Sequence, residues 1–153
     1  MPLTDFHQEM EQMMTTFTAS RDIPASREQI FAAISSPERL ARWWGPAGFS
    51  NTFDVCEFQT GGRWSFTMHG PDGKNYPNES VFAEVAEPEK VVVEHVSSPA
   101  FRLTIALETR LGSTRVIWSQ LFEDAGQAER LASIVIPANE QNLKRLEAEV
   151  LHP

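Results

Sequence analysis

Hydrophobic and polar positions alternate over most of this chain, which is the two-residue period of β-strands. Residues 15–23 show the pattern first, with Phe17, Ala19 and Ile23 on one side of the predicted strand. The alternation recurs in six later segments, at residues 52–58, 63–69, 79–86, 90–97, 101–110 and 114–122. Because polar turns separate these segments, the pattern predicts an antiparallel sheet of six to seven strands.

Two short helices are predicted between the first two strands. Ser26 and Gln29 form a capping box, in which each side chain satisfies a free backbone amide at the start of a helix. Ser36 followed by Pro37 marks a second helix start, because the hydroxyl caps free amides and proline suits the first helical position. The Gly-Pro pair at residues 45–46 ends this second helix.

The last part of the chain changes to the helical period. Pro137 lies inside this segment, residues 126–150, and we expect it to bend the helix near residues 133–137 or to divide it in two. The apolar positions with helical spacing are Leu131, Ile134, Val135, Ala138, Leu143, Leu146 and Val150.

The order of these elements predicts an α+β fold. A meander of strands followed by one long helix indicates a curved antiparallel sheet that buries one face against that helix. We place one domain at residues 14–153 and an N-terminal extension at residues 1–13. The extension has Phe6, Met10 and Met13 at helical spacing, so it forms either a short docked helix or a frayed tail.

Composition narrows the possible partners. The net charge of −8 argues against nucleic acids and anionic membranes, because both attract clustered lysine and arginine. No apolar run reaches the roughly 20 residues of a membrane span, and the first residues lack the pattern of a secretion signal. A single cysteine excludes an internal disulfide. Together these features predict a cytoplasmic protein.

Three stretches make the chain similar to a known family. They read PERLARWWGPAGF at residues 37–49, FDVCEFQTGGRW at residues 53–64 and MHGPDGKNYP at residues 68–77. From Thr16 to Leu151 the sequence resembles the activator of heat-shock-protein-ninety ATPase homologue-like proteins. These belong to the START-like, birch-pollen-allergen-like superfamily of polyketide cyclases and lipid carriers. The resemblance implies a helix-grip fold, in which the sheet wraps around the terminal helix.

A gap between the sheet and the long helix is the natural place for a ligand. A solid aromatic core has the same sequence pattern as a lined cavity, and the superfamily resemblance favours the cavity. We expect its mouth beside the loop at residues 45–48, because that loop can move without breaking strand hydrogen bonds. The predicted ligand-binding residues are Trp43, Trp44 and Phe49 near the mouth, with Trp64, Phe66, Met68, Trp118 and Phe122 along the walls.

Glu84 and His95 are the candidates for chemistry. The resemblance places a recurring carboxylate at Glu84, and an apolar cavity would raise its pKa and suit it to acid catalysis. The alternative for Glu84 is a solvent-facing or ion-paired side chain. His95 is either a buried acid or base or a hydrogen-bonded histidine of the core. The histidines lack metal-ligand spacing and no nucleotide-binding motif is present, so we expect neither metal nor cofactor.

Three functions are compatible with these features. The first is a module that binds a small hydrophobic ligand, and the second is a cyclase- or hydrolase-like enzyme that uses Glu84 or His95. Two or more convergent polar groups in the cavity would favour the enzyme, whereas one would favour carriage. The third, implied by the family name, is activation of a chaperone ATPase through protein contact, although a chain of this length has no room for the additional domain of the eukaryotic activators. We also expect a homodimer, because superfamily members often pair and the apolar stripe of the N-terminal extension needs a surface to cover it.

Overall fold

The computed structural model describes residues 15–153. Seven strands, two short helices and one long terminal helix follow in the predicted order, so the α+β helix-grip fold is confirmed. The strands are β1 (Thr16–Ile23), β2 (Ser50–Cys56), β3 (Arg63–His69), β4 (Asn75–Ala86), β5 (Lys90–His95), β6 (Phe101–Arg110) and β7 (Ser113–Phe122). The helices are α1 (Arg27–Ser35), α2 (Pro37–Trp43) and α3 (Ala125–Leu151).

All seven strands form one antiparallel sheet in the order β1-β7-β6-β5-β4-β3-β2. One face is buried against α3, and alternate residues of each strand point to it. Strand β7 shows this most clearly, since Thr114, Val116, Trp118, Gln120 and Phe122 are all buried while the residues between them are not. The inner face of the sheet and the helix therefore enclose the interior.

The two predicted helix starts are confirmed. Ser26 accepts a hydrogen bond of 3.1 Å from the Gln29 backbone amide, and the Gln29 side chain accepts one of 2.9 Å from the Ser26 amide. Pro37 occupies the first turn of α2, with Ser36 as the N-cap. A third cap was not predicted: Asp124 accepts from the first free amides of α3.

Strand β4 begins earlier than its hydrophobic pattern predicts. Its first residues pair with β3 only, because β5 ends at His95, which lies opposite Ser80. Pro77 lies in this stretch, which has no strand on its β5 side. Proline has no backbone N–H to donate, and it is tolerated where a neighbouring strand is absent. The sequence pattern missed these residues because they are exposed rather than alternately buried.

Helix α3 runs through Pro137 as a single element, so a division of the helix at this residue is wrong, while the alternative, a bend near residues 133–137, stays a prediction. Ser133 and Pro137 are both exposed, and solvent can therefore replace the hydrogen bond that the proline cannot donate. The two ends of the helix differ in burial: Ile134 is 64% exposed, whereas Leu143 and Leu146 are fully buried. The large apolar side chains that α3 buries therefore lie in its C-terminal part, whereas its first turns bury Ala128.

Within the described residues, no helix is long and apolar enough to span a membrane. The N-terminal extension proposed at residues 1–13 lies outside the described part of the chain. The homodimer, whose support came partly from that extension, stays a prediction.

Candidate functional site

A cavity of about 200 Å³ lies between the inner face of the sheet and α3. Strands β3 to β7 supply its walls, and the end of α2 and the middle of α3 close it. Its apolar lining residues include Trp44, Phe66, Met68, Val93, Phe101, Leu103 and Trp118. Its polar lining residues are Asn78, Ser80, His95, Gln120, Asn139 and Asn142. The lining therefore combines aromatic and aliphatic walls with several polar groups.

Four of the eight predicted ligand-binding residues line this cavity: Trp44, Phe66, Met68 and Trp118. The rings of Trp44 and Trp118 lie 5.5 Å apart between centroids, and Trp44 meets Phe66 edge-on at 6.4 Å. The three rings form one aromatic wall. Trp118 is 3% exposed, and its indole N–H has no hydrogen-bond acceptor among the described residues.

The other four predicted ligand-binding residues lie outside the lining. Trp43 is buried beneath it, and its indole N–H donates a hydrogen bond of 2.9 Å to the carbonyl of Ala33. Trp64 is a core residue that stacks between Phe66, at 4.4 Å, and Phe82, at 5.3 Å. The remaining two pack against other rings: Phe49 against Tyr76, and Phe122 against Phe17 and Phe101.

Glu84 also lies away from the cavity. Its carboxylate is 2.9 Å from the ammonium of Lys90, and both side chains are about two-fifths exposed. A register shift between Phe82 and Glu84 explains this position. Phe82 points into the core, but after the irregularity Val85 is the next side chain packed against the core, so Glu84 faces outward.

His95, in contrast, lines the cavity and is 6% exposed. Its Nδ1–H donates a hydrogen bond of 2.7 Å to the carbonyl of Pro99, and its Nε2 lies 2.6 Å from Oδ1 of Asn78, whose amino group donates to the carbonyl of Tyr76. The ring stacks on Phe101 at 4.5 Å. Burial lowers the pKa of His95, and hydrogen bonds to Pro99 and Ser97 oppose this shift.

The loop between α2 and β2 is fastened to α3 by hydrogen bonds, and our expectation that it moves to admit a ligand stays a prediction. Asn142 accepts a hydrogen bond of 3.1 Å from the Gly45 amide and donates one of 2.9 Å to the carbonyl of Trp43. The guanidinium of Arg145 donates at 2.7 to 3.0 Å to the carbonyls of Arg42, Trp44, Gly45, Pro46 and Phe49. These contacts fix one wall of the cavity.

Two polar residues that the sequence analysis overlooked complete the lining. Gln120 lies on the inner face of β7 between Trp118 and Phe122, and Asn139 lies on α3 facing the sheet. Asn139 Nδ2 donates a hydrogen bond of 3.1 Å to Gln120 Oε1. The alternation of β7 could have indicated Gln120, because it places this polar side chain on the buried face of the strand between Trp118 and Phe122.

Acidic, histidine and cysteine side chains form no cluster suited to a metal ion among residues 15–153. The thiol of Cys56 is an unsuitable nucleophile, because burial raises its pKa to about 11 and keeps it protonated near neutral pH. Of the residue types that commonly carry catalysis, the cavity contains one histidine and one serine, His95 and Ser80.

Comparison with known proteins identifies one family and many related folds. The sequence model of the family described as "Activator of Hsp90 ATPase homolog 1-like protein" matches residues 24–150. No curated protein matches the chain. A protein from Arthrobacter aurescens, solved by NMR, is 23% identical with a TM-score of 0.83, over 92% of this chain and 88% of that one.

Two further solved structures are similar over most of their length. A protein from Nitrosomonas europaea is 18% identical with a TM-score of 0.81, over 91% of this chain and 96% of that one. The AHSA1-like protein from Aeromonas hydrophila is 18% identical with a TM-score of 0.72, over 90% of this chain and 96% of that one. At these identities the likeness concerns the fold alone.

Proposed function

This chain belongs to the family of activator of Hsp90 ATPase homolog 1-like proteins, and we propose that it is a binding module for one small, largely apolar ligand. The site is the cavity between the sheet and α3. One observation carries the proposal: aromatic and aliphatic side chains wall a cavity of about 200 Å³, and amide, hydroxyl and imidazole groups also line it. Apolar walls with a few convergent polar groups are the usual lining of a small-molecule site.

The volume of the cavity limits the size of the ligand. Pockets for drug-sized molecules have about 300–1,000 Å³, whereas an engineered cavity of about 150 Å³ is enough to bind benzene. The volume here is about 200 Å³. The ligand that fits is therefore a substituted single ring or an aliphatic molecule of similar size, and not a long acyl chain.

An enzyme is the second candidate, because the cavity has several convergent polar groups rather than one. Binding is favoured over catalysis for two reasons. Both ring nitrogens of His95 are already engaged, by Pro99 and Asn78, and Glu84 lies outside the cavity. The remaining polar lining side chains are amides and a serine hydroxyl, which do not exchange protons readily near neutral pH.

A thermal-shift screen with single-ring aromatic compounds tests the proposal. A ligand present at a hundred times its dissociation constant stabilises the fold by about 2.7 kcal/mol, which raises the melting temperature by about 5 to 10 °C in a domain of this size. Ala138→Phe, which fills part of the cavity, should abolish the shift. Ala148→Phe is the matched control, since Ala148 is exposed on the same helix and lies outside the cavity lining.

Two results would contradict the proposal. One is that no compound raises the melting temperature of the unmodified protein. The other is that the shift is retained in the cavity-filling variant, because the compounds would then be bound elsewhere on the surface.

A further inference from the structure

We infer that the ligand of this cavity carries an uncharged amide-type group, with a hydrogen-bond donor and an acceptor side by side, and that Gln120 and Asn139 recognise it. This inference rests on the proposed function and names the chemistry of the ligand.

The two side chains are joined by a single hydrogen bond, which leaves most of their bonding capacity unused. Gln120 is 9% exposed and Asn139 is 8% exposed, and the bond between them uses one hydrogen of Asn139 Nδ2 and the oxygen of Gln120. The amino group of Gln120 and the oxygen of Asn139 make no hydrogen bond with any other described residue. Exchanging nitrogen and oxygen in both side chains leaves the same result, since one amino group and one oxygen remain free.

The position of this pair places its unbonded groups at the wall of the cavity. Gln120 lies on the inner face of β7, directly opposite Leu103 of β6, and Asn139 lies on α3. Both line the cavity, so the bond joins its sheet wall to its helix wall. A free donor and a free acceptor on two bonded amides match the acceptor and donor of a third amide.

Trp118 lies beside this pair and brings the aromatic wall next to it. It precedes Gln120 by two residues on the same face of β7, about 7 Å away along the strand. Its indole nitrogen has almost no accessible surface, so the groups offered to a ligand are the amides of Gln120 and Asn139. A ligand amide bonded to them can set its ring against Trp44 and Phe66.

The lining also selects against charged ligands. It contains no lysine, arginine, aspartate or glutamate. Both ring nitrogens of His95 are engaged by Pro99 and Asn78, so this side chain offers no free N–H to a ligand carboxylate. A carboxylate would thus lose its hydration without gaining an ion pair from a lysine or arginine, so a neutral amide is preferred to an acid of the same shape.

Isothermal titration calorimetry with three probes of equal size tests the inference: benzamide, benzoate and isopropylbenzene. In the unmodified protein, benzamide should bind at least tenfold more tightly than benzoate. Gln120→Leu should weaken benzamide at least tenfold and leave isopropylbenzene within about twofold, because only the amide loses its partners. Asn139→Leu should behave in the same way. Gln59→Leu, an identical change at an exposed position, should alter none of the three affinities.

Three results would overturn the inference while leaving the proposed function intact. Benzoate binds as tightly as benzamide, or Gln120→Leu weakens all bound probes equally or none of them, or isopropylbenzene binds and benzamide does not. If none of the three probes binds the unmodified protein, the inference and the proposed function fall together. The comparison of probes in the unmodified protein decides the matter even if a variant does not fold.

Discussion

The Nη1 atom of Arg145 lies 3.0 Å from the carbonyl oxygen of Trp44. This hydrogen bond joins the C-terminal end of α2 to α3, and the same guanidinium binds four further carbonyls of that region. Burial lowers the pKa of Arg145, but the side chain stays protonated and acts as a fixed donor. The tryptophan wall of the cavity is therefore held in position by a residue that does not itself line the cavity.

Replacing Arg145 by lysine should loosen this region. An ammonium group cannot reproduce the planar fork that reaches five carbonyls, so we expect a loss of about 2 kcal/mol in the free energy of unfolding. Amide hydrogen exchange at Gly45 and Phe49 should accelerate, since both belong to the fastened loop. Lys144→Gln, at the exposed neighbouring position, is the control. Unchanged exchange at Gly45 and Phe49 in Arg145→Lys would contradict the assigned role.

Two tryptophan-to-phenylalanine changes should differ in their effect. Trp43→Phe removes the donor to the Ala33 carbonyl and leaves a buried acceptor unpaired, whereas Trp118→Phe removes an N–H that has no acceptor among the described residues. We expect Trp43→Phe to reduce the free energy of unfolding by about 1 kcal/mol or more beyond the effect of Trp118→Phe. Urea unfolding of both variants measures the difference. Equal losses would mean that the indole of Trp118 is bonded as well as that of Trp43.

The stability of the fold should depend on pH through Glu149. Hydrogen bonding from Arg42 lowers the pKa of this carboxyl below its ordinary value of 4.5; burial opposes the shift, and Arg39 adds to it. Because the pKa is lower in the folded state, the pairing stabilises the protein above about pH 4.5, and this contribution is lost as the pH falls through the folded-state value.

Glu149→Gln tests this dependence. The variant should have a lower urea midpoint than the unmodified protein at pH 7, and the gap should narrow as the pH is reduced below about 4.5. A gap that is constant between pH 7 and pH 3.5 would mean that the carboxylate charge does not contribute.

Glu84→Gln should be close to neutral. The ion pair with Lys90 is exposed, and such pairs contribute less than about 1 kcal/mol. The affinity of any cavity ligand should also be unchanged, because Glu84 does not line the cavity. Urea unfolding and a ligand titration measure both quantities. A tenfold loss of affinity in Glu84→Gln would contradict the conclusion that Glu84 lies outside the ligand site.

Much of the fold could be predicted from the sequence because alternation and capping are local signals. The strands, the capping box at Ser26 and the start of α2 at Pro37 were all readable. The outward position of Glu84 was not, since it depends on a strand irregularity after Phe82 that reverses which side chains face the core. No local pattern announces that irregularity.

The site was harder to predict than the fold. An aromatic residue that lines a cavity has the same sequence pattern as one buried in a solid core. For this reason the sequence predicted both Trp64 and Trp118 as lining residues, although only Trp118 lines the cavity. The partners of Arg145 are backbone carbonyls about a hundred positions earlier in the chain. Every residue has a backbone carbonyl, so the residue types at those positions could not predict the contact. Gln120 was the exception, because a glutamine within an apolar strand face is visible in the sequence.

The most direct test of the account is the indole N–H signal of Trp118 in a ¹H–¹⁵N NMR titration with benzamide and, separately, with isopropylbenzene. Trp118→Phe assigns the signal. The Trp43 indole, bonded to Ala33 and outside the lining, serves as the internal reference. A cavity ligand should shift the Trp118 signal saturably, and more than that of Trp43, at concentrations up to about 1 mM. If neither compound shifts the Trp118 signal in a saturable way, the claim that this cavity binds a small ligand is contradicted.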